Sequence, residues 1–434
     1  MGVWNRWIQW TEAEGPPVRL AFFRVVVGFM LWRHTWAFVR RYLKDGFYGD
    51  KFYLPYWDWL VLPSGMTYVI VLTLMMAAGF FIIVGYKTRW ALIVALTAGG
   101  FHLSLNQFWY GNNRYFLLLS LLLLCFSPCD RAFSLDANLR KPYAWAPTWT
   151  LTIIRLQMTL IYLASATAKS LDADWRSGRV LWDRGVHLAT EALRMTDQIP
   201  HGLMTLVSNR QFMEVLTIAV LSHEYFLAFG LWFVPTRRLA IWVGIIFHGY
   251  IEAAHSVLAF SYLSLGTYFL VISPYKQNRA FYYHPDHAHH QFWVRWMQRL
   301  DWFDKIKFVA WDSPTLRIQN VDGQWYQGWM AVCIAGSALV LPYAIAYPMT
   351  WLRFFGAGRV QVAGVTKGTT EALRPLMGRF TARLVLVMLL LSYIGFLWMV
   401  TAVPSLHIGF HGVKFVDVPL LFLILALMMA AYTR

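Results

Sequence analysis

Apolar residues run in long stretches along the first two thirds of the chain, and charges gather in the gaps between them. Roughly 20 residues of α-helix cross a bilayer. By that ruler the pattern predicts spans near Leu20–Phe38, Met66–Tyr86, Trp90–Phe108, Tyr115–Phe126, Thr148–Ala168, Phe212–Val234, Leu239–Ala254 and Val257–Ile272. The expected architecture is mainly α, a polytopic membrane bundle of about eight helices. The fourth stretch is short and the last two nearly abut, so a re-entrant hairpin is the alternative there. No small-residue cleavage site follows Leu20–Phe38, which reads as a retained helix and not as a signal peptide. Ahead of it, Trp4, Trp7 and Trp10 recur at helical spacing, as in a short helix lying in the interface.

The pattern changes after Pro274. Lys276, Arg279, Asp286, the histidines from His284 to His290, and Asp301, Asp304, Lys305 and Lys307 cannot sit in lipid, so a separate domain is expected. Arg279–Tyr283 reads as a strand, His287–Leu300 as an amphipathic helix, Lys307–Trp311 as a second strand and Val321–Gly323 as a turn. That order predicts a small parallel α/β unit. Gly328–Tyr347 is long enough for a span, but Pro342 and Pro348 favour buried helices of the small domain. Ala382–Val403 and Val418–Tyr432 then read as a C-terminal two-helix membrane hairpin, approached by the basic segment Lys367–Arg379. Three regions follow: a membrane bundle over 1–273, an α/β domain over 274–378 and the hairpin over 379–434.

Composition agrees with a lipid solvent. Of 434 residues, 58% are hydrophobic and only 14% charged, which excludes an ordinary soluble domain. The net charge of +16 lies mostly in loops, so its expected partner is the anionic headgroups of the lipid bilayer and not nucleic acid. Lys87 with Arg89, Arg131 with Arg140 and Lys141, and Arg237 with Arg238 share one side if the N-terminus is cytoplasmic. The predicted location is therefore the cell (inner) membrane, with the N-terminus and the α/β domain cytoplasmic and Lys169 and Asn112–Tyr115 facing outward. Basic residues in Arg40–Lys51 and Lys169–Arg210 argue the other way. Three cysteines, Cys125, Cys129 and Cys333, are too few and too scattered for a disulfide framework or a Cys-type zinc site.

The chemistry concentrates at Lys169-Ser170-Leu171-Asp172-Ala173-Asp174-Trp175, where an amine and two carboxylates follow a long apolar run. Tyr162 to Lys169 and Leu171 to Gly178 together resemble the vitamin K-dependent gamma-carboxylase family and its bacterial HTTM relatives, with Leu171–Trp175 the specific match. Asn112–Tyr115, Ser127–Asp136, Glu224, Arg237-Arg238 and Phe247-His248 resemble the same pattern, which covers about the first 273 residues. The resemblance implies a base-catalysed modification of a peptide or lipid at the outer face, driven by a reduced, vitamin K-like quinone with oxygen and carbon dioxide as co-substrates. It assigns Lys169 as base, Asp172, Asp174, Asn113, His248 and Glu224 as further catalytic candidates, and Trp175 and Arg155 as cofactor-binding candidates. An amine acts as a base near neutral pH only when desolvation or a neighbouring cation lowers its pKa from about 10.4.

Two residues depart from that family. Where it has a Lys pair before Leu-Asp-Ala-Asp-Trp, with the second lysine as base, this chain has Lys169 and then Ser170. A one-residue step turns a helical side chain by about 100°. Where the family places a histidine before the fourth span, this chain has Asn113. Blander readings stand beside the catalytic ones: Asp172 and Asp174 pairing with Lys169, Arg176 or Arg155; Glu224 and His248 forming a buried hydrogen-bonded pair; and Trp36, Tyr56, Trp57 and Trp59 forming an interfacial belt instead of a quinone platform.

Phe281–Trp311 resembles the DCC family of thioredoxin-like domains, but His287 and His290 stand where that family has its two thiols, so dithiol exchange is excluded. His284, His287 and His290 are candidate zinc or copper ligands, against a solvated helix start. Three functions remain open: a carboxylase-like membrane enzyme using a lipid-soluble molecule, a non-catalytic factor for maturation or export of a secreted peptide, and a transporter lined by Arg24, Arg155, Glu224 and His248.

Overall fold

The computed structural model describes residues 14–15, 17–45, 53–109, 111–139, 146–199, 201–255, 259–271, 279–301 and 305–361. The chain divides into two compact units, Met1–Ile272 and Ser273–Arg434. The Trp4–Trp10 segment, the membrane hairpin and the 378/379 boundary lie outside the described residues.

In the first unit a short strand, β1 (Glu14–Gly15), leads into α1 (Val18–Asp45), α2 (Gly65–Val84), α3 (Thr88–Ser104), α4 (Asn112–Cys125) and the single turn α5 (Leu135–Leu139). Strand β2 (Ala146–Pro147) pairs antiparallel with β1 and precedes α6 (Trp149–Leu171). Then come α7 (Ala173–Arg176), α8 (Arg179–Thr196), α9 (His201–Ser208), α10 (Arg210–Gly230), α11 (Val234–His255) and α12 (Ala259–Val271). Each of the eight apolar stretches read over the first unit is mainly helical among the described residues. Among the described residues, however, three helices are long and apolar enough to cross a membrane: α2, α6 and α10. The count of about eight rests on the shorter α4 and α12, on the 17-residue α3, and on α1 and α11, which are interrupted by charges. The interval from Lys169 to Arg210, expected as a loop, is corrected to three helices. Its charges hid an amphipathic period in α8.

Local chemistry sets the ends of these helices. Ser64 caps α2 by accepting the Thr67 N–H, and Gly85 closes it in the left-handed region at φ 71°. Helices α1 and α2 approach through glycine. A Cβ on Gly28 would fall 2.8 Å from Ile82, and one on Gly79 would fall 3.1 Å from the Trp32 backbone nitrogen. Phe22, Phe23, Val26, Phe29 and Met30 make the inward side of α1 fully buried.

The second unit is a five-stranded sheet in the order β4 (Lys307–Ala310), β3 (Ala280–Tyr283), β5 (Arg317–Gln319), β6 (Trp325–Gln327), β7 (Arg359–Val360). Strands β3 and β4 are parallel, joined through α13 (Ala288–Leu300) as the spacing predicted, and the remaining pairs are antiparallel. Gly323, at φ 78°, makes the predicted turn between β5 and β6. Residues 328–347 form α14 (Trp329–Gly336) and α15 (Tyr343–Met349), each too short to span. Met330, Ile334 and Leu339 instead pack with Phe281, Tyr283, Val294 and Ile318 in the core.

Candidate functional site

Helix α6 carries Tyr162, Ser165 and Lys169 at helical spacings of three and four, so all three project from one face. That face meets α10. The Lys169 ammonium forms an ion pair with Glu224 Oε1, and the Ser165 hydroxyl donates to the same oxygen at 3.3 Å. The two partners differ in exposure: the Lys169 side chain is 22% accessible and that of Glu224 only 4%. Glu224 Oε2 is buried and has no hydrogen-bond partner among the described residues. The Trp175 ring lies 5.0 Å from Lys169 Nζ, within cation–π range.

Seven residues earlier on α6, about 10 Å along the axis, Tyr162 reaches the next two helices. Its hydroxyl lies 2.7 Å from His248 Nε2 on α11 and 2.9 Å from the Tyr268 hydroxyl on α12. All three side chains are buried. Gly244, one turn before His248, makes this possible, because a Cβ there would fall 2.2 Å from the Tyr268 oxygen. His248 Nδ1 has no partner among the described residues. Glu224 and His248 are therefore not the hydrogen-bonded pair expected from their types; each is engaged by a different residue of α6.

The other sequence candidates separate. Asp172 caps α7, its Oδ1 accepting the backbone N–H groups of Asp174 at 2.8 Å and Trp175 at 3.3 Å. Asp174 faces Arg179 at 3.5 Å on the exposed side. Neither carboxylate is the amine's counter-ion; that role falls to Glu224, 55 residues away in sequence. Ser170 turns to Tyr225, hydroxyl to hydroxyl at 3.3 Å. Arg155 stands 14 residues before Lys169, about 21 Å along α6, and donates to the Leu270 carbonyl, which also accepts from Arg19 at 3.2 Å. It is thus removed from the Lys169 site. Asn113 Oδ1 accepts the Arg114 backbone N–H at 2.9 Å. Trp57 and Trp59 stack at 5.5 Å and are exposed, as the belt reading expects.

His284, His287 and His290 gather at the start of α13, their rings 4.5 Å and 5.1 Å apart in sequence order. Among the described residues no group of three or more His, Cys, Asp or Glu side chains could hold a metal ion. His290 Nδ1 accepts the His284 backbone N–H at 3.0 Å, and His284 Nδ1 accepts that of Asp286 at 3.2 Å, so two of the nitrogens serve the start of α13. The three cysteines are free thiols.

Residues 127–136 hold the opposite end of the bundle. Arg24, fully buried on α1, donates Nη1 to the carbonyls of Cys129 at 2.8 Å and Ala132 at 3.4 Å, and Nη2 to that of Phe133. Asp136 caps α3, accepting from the backbone N–H groups of Lys87 at 2.9 Å and Thr88 at 2.8 Å. The HTTM domain family model matches residues 14–275, from β1 through the end of the bundle. The chain belongs to the HTTM family. HTTM domains occur in vitamin K-dependent carboxylase-like membrane proteins, and the apolar helices agree with a membrane setting. No solved structure matches the chain. In this HTTM protein the Cys129–Phe133 backbone holds Arg24 of α1, and Lys169 meets Glu224 at the C-terminal end of α6. Tyr162, Ser165 and Tyr268 were missed as site residues. Only the first two had a sequence signal, their helical spacing from Lys169.

Proposed function

We propose that this HTTM protein is a carboxylase-like membrane enzyme that carries out a quinone-linked, base-catalysed modification of a peptide or lipid at the outer face of the cell membrane. The observation that carries this reading is the half-buried Lys169 amine held by a buried glutamate whose other oxygen has no partner among the described residues. Glu224 and Ser165 fix the amine from one side, and the Trp175 ring flanks it, so Nζ is positioned beside an aromatic face where a bound molecule's acidic hydroxyl would meet it.

The donor set fits a reduced, vitamin K-like quinone: Trp175 offers an aromatic face beside the amine, and Lys169 a base for a ring hydroxyl. When bound, the quinone would supply reducing equivalents, with oxygen and carbon dioxide as co-substrates. Tyr162, His248 and Tyr268 stiffen the floor below and keep it dry. The small α/β unit, a parallel β-α-β followed by an antiparallel hairpin, supports a thioredoxin-like, DCC-type domain on the cytoplasmic side, with His287 and His290 replacing the thiols.

The test is oxidation of a reduced naphthoquinone by purified protein in oxygenated buffer, followed by absorbance. Wild type is expected to accelerate it, Lys169→Met to abolish the acceleration, and Glu224→Gln, which removes the amine's counter-ion, to lower it. Equal rates in wild type and Lys169→Met would refute the proposal. A second reading, a non-catalytic factor for maturation or export of a secreted peptide, is favoured by one observation: the position where relatives place their base carries Ser170, bonded to Tyr225. The transporter reading is weakened because Arg24 and Arg155 donate to backbone carbonyls.

A further inference from the structure

Three helix ends meet at the end of the first unit far from Lys169: the C-terminus of α4 and the N-termini of α3 and α6. With residues from Pro128 to Ala137 they line a cleft of about 1250 Å³. Trp149 lines it and opens the same helix that Lys169 nearly closes, 20 residues later. That separation is about 30 Å, the thickness of a hydrocarbon core. The cleft and the Lys169 site therefore belong to opposite leaflets.

The chemistry of the lining divides by depth. Lys87, Arg89 and Arg131 supply three cations, while Trp90, Ile93 and Phe126 supply apolar surface, with Trp90 67% and Phe126 61% exposed. Two carboxylates also line the cleft. Asp136 is occupied by two backbone N–H groups and the Thr88 hydroxyl, which leaves Asp130 as the counterweight. Arg89 ties α3 to the end of α4 by donating to the Cys125 carbonyl at 2.8 Å. Helix α2, long enough to cross the membrane, ends at Val84, three residues before Lys87, which places the cations at headgroup level. Exposed apolar residues beside those cations, Trp90 and Ile93 in the first turns of α3 and Phe126 just past α4, match an acyl chain and not a soluble anion.

We infer that this cleft is a binding site for an anionic phospholipid, its phosphate held by Lys87 and Arg131 and its acyl chain laid along Trp90, Ile93 and Phe126. Basic pockets between membrane helices hold headgroups by this combination of charge and apolar contact. The site owes nothing to the Lys169 chemistry and stands whether or not that reading does.

The test uses the full chain in phosphatidylcholine nanodiscs doped with phosphatidylglycerol, with retained lipid counted by native mass spectrometry. Wild type should retain phosphatidylglycerol in preference to phosphatidylcholine. Each cation removed should weaken retention about fivefold, so Lys87→Gln with Arg131→Gln should lower it roughly 25-fold. Trp90→Ala, which keeps every charge, should lower it several-fold, and Lys169→Met should leave it unchanged. Equal retention of the two lipids, retention unaffected by the double substitution, or displacement by millimolar inorganic phosphate would each overturn the inference, the last by showing a free-anion site.

Discussion

Lys169 and Glu224 are joined across α6 and α10 with unequal exposure, the carboxylate almost wholly buried and the amine in partial contact with its surroundings. Removing one partner therefore costs more than removing both. Lys169→Met strands Glu224 and should lower stability by about 2–3 kcal/mol, less than the loss of a fully buried pair because the amine is partly hydrated. Lys169→Met with Glu224→Gln should recover most of that. Thermal unfolding of the three variants in one detergent measures it; a double variant no better than the single would disprove the coupling.

Tyr162 offers one hydroxyl to two partners. Tyr162→Phe leaves His248 Nε2 and the Tyr268 hydroxyl without it and should cost about 2–3 kcal/mol, whereas Tyr268→Phe removes one bond and should cost about 1 kcal/mol. The order of the two melting temperatures checks the assignment, and a larger loss from Tyr268→Phe would reverse it.

Gly244 is a steric requirement. Gly244→Ala drives a methyl into the Tyr268 ring and should destabilise by about 1–3 kcal/mol. Tyr268→Ala should cancel that penalty, so that adding Gly244→Ala to it costs little, as a double-mutant cycle would show. An additive result would place the clash elsewhere.

In the second unit, burial pushes the His290 pKa below its usual value, and the neighbouring His287, His289 and His284 push it the same way. The unfolded chain then binds the proton more readily than the folded one. Stability should fall as pH drops below about 6.5 toward the depressed folded value, and be fully present above 6.5. The protection factors of the Phe281–Tyr283 amides, with the intrinsic pH dependence of exchange divided out, should fall on acidification, and His290→Gln should flatten that fall. A pH-independent protection factor in wild type would contradict it.

The apolar runs and the β-α-β order were legible because each is a local periodicity: about 20 apolar residues for a span, alternation for Ala280–Tyr283, and a 3.6-residue stripe for Ala288–Leu300. The helices of Arg179–Thr196 and His201–Ser208 escaped notice because frequent charges read as a loop. The site was half legible. Lys169 and Glu224 were both singled out, but their pairing spans 55 positions, and Asp172 and Asp174, nearer in sequence, drew the assignment. Helix capping then claimed Asp172, since a carboxylate at the start of a turn finds backbone donors two and three residues ahead. Tyr268 carries no local signal at all; only the packing of α12 on α6 and α11 brings it in.

Arg24 ends as a cation holding three carbonyls and, among the described residues, no carboxylate in an ion pair. Those oxygens come from a segment about a hundred residues beyond α1, so Arg24 gains its shell only when Cys129–Phe133 packs against α1, and one side chain thereby fastens the start of the first helix to the turn that follows the fourth.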